Sequence, residues 1–154
     1  MLDLLLFLAL STPEVADTSQ SPGIDAESKE QIQDMADELA GCAGVWDFVA
    51  KFEEVNQRPA SAKQARDTAS GAILAAAYIA STIYHSERLE SPKTYGEFLP
   101  AFEGRRESSY THMLAMVERE DVKGIELLMN YCGDLLEAQE KLLTDLRRDA
   151  LSPK

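Results

Sequence analysis

IQDMADELAGCAGVWDFV, residues 32–49, is the stretch whose reading decides the fold. Its apolar residues Ile32, Met35, Leu39, Cys42, Trp46 and Val49 recur at alternating steps of 3 and 4. That spacing puts them in one stripe on a helix, with charged residues filling the opposite face. The same stretch holds LAGC, residues 39–42, the letters of a bacterial lipobox. A lipobox needs an apolar translocation core directly before its cysteine. Here residues 25–38 read DAESKEQIQDMADE, mostly charged and polar. The lipid anchor is therefore rejected, and Cys42 becomes a position in a helical core.

Working outward, the pattern repeats three more times. Arg58-Pro59 stops the first helix, because the residue before proline is driven out of the helical region. A second helix opens at Pro59 or Ala60 and carries Ala62, Ala65, Ala69, Ala72, Ala76, Ile79 and Ile83 in one seam. Within it GAILAAAYIA, residues 71–80, is apolar nearly all round and predicts the most buried segment. It is too short to span a bilayer. Pro92 and Gly96 mark a connection. A third helix holds Phe98, Phe102, Tyr110, Met113 and Val117, with Pro100 in its first turn. Asp121 is placed to cap a fourth. That helix carries Val122, Ile125, Met129, Cys132, Leu136, Gln139, Leu143 and Leu146, and Arg147 and Arg148 suit its C-terminus. The expectation is an all-α fold, an up-down-up-down four-helix bundle over residues 25–150.

Ahead of the bundle lies a signal-like segment. Residues 4–10, LLLFLAL, form a short apolar core, and Ala9 and Ser11 are small residues placed for cleavage after Ser11. The core lacks a preceding Lys or Arg, and Asp3 has the wrong sign. Residues 1–11 are read as an export signal and residues 12–24, rich in Ser, Thr and Pro, as a flexible linker. No stable transmembrane segment is expected after processing. The short leader and compact build point to a bacterial cell-envelope protein, periplasmic or secreted.

The two cysteines bear on the same question. Cys42 sits about 22 Å and Cys132 about 17 Å from one end of the bundle, counting 1.5 Å per residue along the first and fourth helices. As those helices are antiparallel neighbours in an up-down bundle, a Cys42–Cys132 disulfide is expected. An oxidising compartment would preserve it.

A formal charge of −12 on 154 residues excludes nucleic acid and anionic membrane surfaces as natural partners. Catalytic and cofactor motifs are missing. There is no C-x-x-C-H for haem, no Glu three residues before His85 or His112 for a di-iron bundle, and no phosphate-binding glycine loop. Two cysteines and two scattered histidines do not make a zinc set. Cys42 lies on an apolar seam of an acidic chain, the wrong setting for a nucleophile. His112 beside Met113 suggests copper, but Met113 and Met116 are three apart and fit a core stripe. The expectation is a non-enzymatic protein without metal or cofactor, whose partner is another protein. The alternative is a small-ligand-binding bundle using a pocket between helices near Trp46, or the turn at Arg105 and Arg106 beside Phe102.

Overall fold

A computed structural model describes residues 26–86 and 94–151 of the chain. The expected export signal and linker lie outside the described residues. Helix α1 runs Ala26–Val55 and α2 Pro59–Ser86; a short 3₁₀ turn, Tyr95–Glu97, leads into α3, Leu99–Glu118. Helices α4, Val122–Asp134, and α5, Leu136–Leu151, complete the fold. Among the described residues there is no strand, and no helix is long and apolar enough to cross a membrane.

The helix ends follow local chemistry. Pro59 opens α2, where its missing N–H is no loss. Pro100 lies in the first turn of α3. Asp121 caps α4 by accepting the Gly124 N–H at 3.0 Å. Helices α1 and α3 both end by turning one residue left-handed: Gln57 at φ 57° and Glu120 at φ 55°. The next residue then bonds back across the turn, Arg58 N–H to Glu53 O at 2.9 Å and Asp121 N–H to Met116 O at 2.9 Å. Glycine usually takes this place; here Gln57 and Glu120 take it.

Two cores share α1. The first sets Ala36, Leu39, Ala40 and Ala43 against Ala69, Ala72, Ile73, Ala75, Ala76 and Ile79 of α2, with Phe102 from α3. Alanine on both sides lets the helix backbones approach closely. The second joins Cys42 and Val45 to Met113 and Met116 of α3 and Cys132 of α4. Trp46 and Leu135 pack against both.

Helix α1 also meets α3 backbone to backbone. A Cβ on Gly44 would strike the Arg106 carbonyl oxygen and stand 2.8 Å from Tyr110 N. First and third helices lie on a diagonal in a plain square bundle; here they are in direct contact.

Several side chains differ from the seam reading. Met35 is exposed while Ala36 beside it is fully buried, and Val117 is exposed where Met116 is buried. Val122 also faces outward. The seam reading favoured bulky residues, whereas the α1–α2 contact is made by small ones, so the buried stripe shifts by one position. The fourth helix is also two. It breaks at Leu135, just after Gly133 and Asp134, both poor helix formers. The break lets α4 stay on α1 while α5 packs on α2, where Gln139 Nε2 donates to Thr68 O at 3.1 Å.

Candidate functional site

Cys42 and Cys132 come together from α1 and α4 with Cα atoms 5.4 Å apart and sulfurs at disulfide distance. Both side chains are buried. They form the floor of a surface groove of about 450 Å³ between α1, α3 and α4. Its walls are Glu38, Gly41 and Val45 of α1, Arg105, Ser108, Ser109 and His112 of α3, and Leu128 and Tyr131 of α4.

Each helix supplies one kind of chemistry. On α3 the residues Arg105, Ser108, Ser109 and His112 fall at i, i+3, i+4 and i+7, so they share one polar face. Gly41 leaves room for that face: a Cβ there would lie 3.2 Å from Ser109 Oγ and 3.6 Å from Arg105 Nε. On the opposite wall Tyr131 lines the groove with Glu38. Burial first, then the nearby Glu38 carboxylate, pushes the Tyr131 phenol up to about 12. Arg105 forms no ion pair with a described residue, in contrast to its neighbour.

That neighbour, Arg106, is engaged within the fold. Its Nε and Nη2 bond to Asp47 Oδ2 and Oδ1 at 2.6 and 3.0 Å, a two-pronged pair between α3 and α1. The hydrogen bond to Asp47 raises the guanidinium pKa further. Arg105 and Arg106 therefore do different things, one lining the groove and the other holding two helices together. Phe102 is buried in the first core. Trp46 sits between the two cores and does not line this groove; among the described residues its buried Nε1 has no hydrogen-bond partner.

A second groove of about 450 Å³ lies toward the C-terminal ends of α1 and α3 and is almost wholly apolar. Phe48, Phe52 and Val55 of α1, Tyr110, Leu114 and Val117 of α3, and Ile125 and Met129 of α4 line it, with Lys51 and Glu53 at the edge. Four of the apolar residues are exposed, Val55 at 72% and Phe52 at 54% the most so, with Val117 and Leu114 beside them. Phe48 and Tyr110 meet edge to face at 6.5 Å and floor the groove.

Sequence reasoning brought out Arg105 by its charge and the cysteine pair by the seam, weighed His112 only as a copper ligand, and missed Glu38, Ser108, Ser109 and Tyr131. The polar i, i+3, i+4, i+7 series from Arg105 was the signal available for the α3 residues. Among the described residues no three His, Cys, Asp or Glu side chains converge as a metal site. Nor does His112 share a hydrogen bond with a described residue that would orient it as a base. No known protein family, curated protein or solved structure matches the chain.

Proposed function

We propose that the chain is a non-enzymatic interaction protein that takes an apolar helical segment of a partner protein into the groove between Phe52, Leu114 and Val117. The observation that carries this reading is that groove. Exposed apolar side chains from α1 and α3 adjoin one another in a single concavity, whereas scattered surface apolar residues need no explanation. An amphipathic helix laid in a groove is a recurring way to bury such a surface. The chain's −12 charge favours a partner helix with basic flanks.

The protein is proposed to act outside the cytoplasm, in the bacterial cell envelope. The closely placed cysteine pair supports an oxidising compartment, and residues 1–11 carry a leader-like sequence.

The reading is tested with a Leu/Lys amphipathic peptide added to the folded protein, followed by fluorescence anisotropy. Binding is expected, with loss of at least tenfold in affinity for Leu114→Asp. Leu127→Asp alters a residue that is 70% exposed but outside the groove, and should leave affinity unchanged. Equal affinity in the two variants, or no binding to the parent protein, removes the groove as the docking site.

A further inference from the structure

We infer that the polar groove over the cysteine pair binds a small zwitterion, a molecule carrying one carboxylate and one ammonium on an apolar body. The inference is independent of the apolar groove and of any protein partner.

The argument starts from two opposite charges that share a groove and do not pair. Arg105 reaches over the bare backbone of Gly41, its Nε 3.6 Å from where a Cβ would be. Glu38 lies one helical turn earlier on α1, about 4.5 Å along the axis. Both line the same cavity, yet neither is the other's ion-pair partner. Elsewhere the fold does pair its half-buried arginine: Arg106 is held by Asp47 through two bonds.

A simple anion in this groove is drawn to Arg105 and repelled by Glu38. A simple cation meets the reverse. A molecule with both signs is attracted at both ends, and charge-assisted hydrogen bonds fix its direction. Ser108 and Ser109 add hydroxyl donors beside the arginine. Glu38, on the groove wall with Tyr131, offers its carboxylate lone pairs to an ammonium. Val45, Leu128 and the two cysteines supply an apolar floor. A volume of about 450 Å³ accommodates an amino acid or a dipeptide.

The test uses the oxidised full chain, isotope-labelled for NMR, titrated separately with leucine, leucyl-leucine, isovalerate and isoamylamine. Leucine or leucyl-leucine is expected to shift the amides of Gly41, Ser109 and Tyr131, and to bind at least tenfold tighter than either single-charge analogue. Arg105→Ala and Glu38→Gln should each weaken that binding at least tenfold; the glutamine keeps the size and shape of the side chain, so it removes charge and little else. Both positions are exposed, and thermal unfolding of the variants checks that the fold is kept. Isovalerate binding as tightly as leucine, with Glu38→Gln indifferent, overturns the zwitterion. The absence of shifts with all four probes overturns the site.

Discussion

Gly44 shows how one missing side chain sets a distance between helices. Its Cα faces the backbone of α3 so closely that a methyl group would meet the Arg106 carbonyl oxygen and Tyr110 N. Backbone, unlike a flexible side chain, cannot rotate away, so the helices themselves must part. Gly44→Ala is therefore expected to destabilise the fold by about 1–3 kcal/mol, the range for overpacking. Gly104 provides the contrast. It is exposed in the interior of α3, with nothing within 4 Å of a built Cβ. Gly104→Ala should stabilise by up to about 1 kcal/mol through helix propensity alone. Urea unfolding of the two variants measures both. A Gly44→Ala protein as stable as Gly104→Ala would show that the α1–α3 approach is not fixed by this contact. Separation of those helices would also loosen the Arg106–Asp47 pair beside Gly44.

Among the elements, α5 shows how a helix with little apolar burial is held. Gln139 is its one buried described residue, and Gly71 on α2 makes space for it: a Cβ there would stand 2.6 Å from Gln139 Nε2. At the far end, Tyr78 of α2 donates to Asp149 Oδ2 at 2.7 Å. Burial, and then the bond to Asp149, push the Tyr78 phenol from 10.0 up to about 12. The folded state thus holds the phenolic proton more tightly than the unfolded chain. Its contribution to stability is fully present below about pH 10 and is lost as the pH rises through about 12. Stability should fall across that window, and Tyr78→Phe should flatten the fall while costing about 1 kcal/mol or less at neutral pH. Denaturant unfolding at a series of alkaline pH values reads this slope, and an unchanged slope in Tyr78→Phe would assign the loss to other groups. The elements also show what the sequence made legible. The α2 seam is buried from Ala62 to Ile79, because one continuous face of that helix meets the core while Lys63, Gln64, Arg66, Asp67 and Ser70 face solvent. The α1 seam was displaced by one residue at Met35 and Ala36, since alanine carries too weak a hydropathy signal to mark an interface made of alanine. The break at Leu135 hid because the 3-and-4 spacing runs on across it. In the polar groove Arg105 stood out by charge, whereas Glu38 and Tyr131 come together only through the packing of α4 on α1.

For the molecule as a whole, α4 is the shared wall. Leu128, Tyr131 and Cys132 face the polar groove, while Ile125 and Met129 face the apolar one. The position of α4 therefore shapes both. Helix α4 is secured to α1 at Cys42–Cys132, between residues separated by 90 in the sequence. A bond closing so long a loop restricts the unfolded chain, and the chain-entropy model assigns it about 4 to 5 kcal/mol, an upper figure for measured cases. The loss on reduction should not be spread evenly. The first core, made chiefly by α1 and α2, contains neither cysteine, whereas the second contains both. Reduction, or Cys42→Ala with Cys132→Ala, is expected to lower the urea midpoint and to speed amide exchange in α4 well before the α1–α2 hairpin. Because one helix walls both grooves, binding of the Leu/Lys peptide and of leucine should weaken together. Exchange measured by mass spectrometry on oxidised and reduced protein separates the cases. Equal midpoints and equal α4 protection in the two forms would mean that side-chain packing alone positions this helix. Loss of protection in α2 at the same rate as in α4 would instead mean that the two cores unfold as one unit.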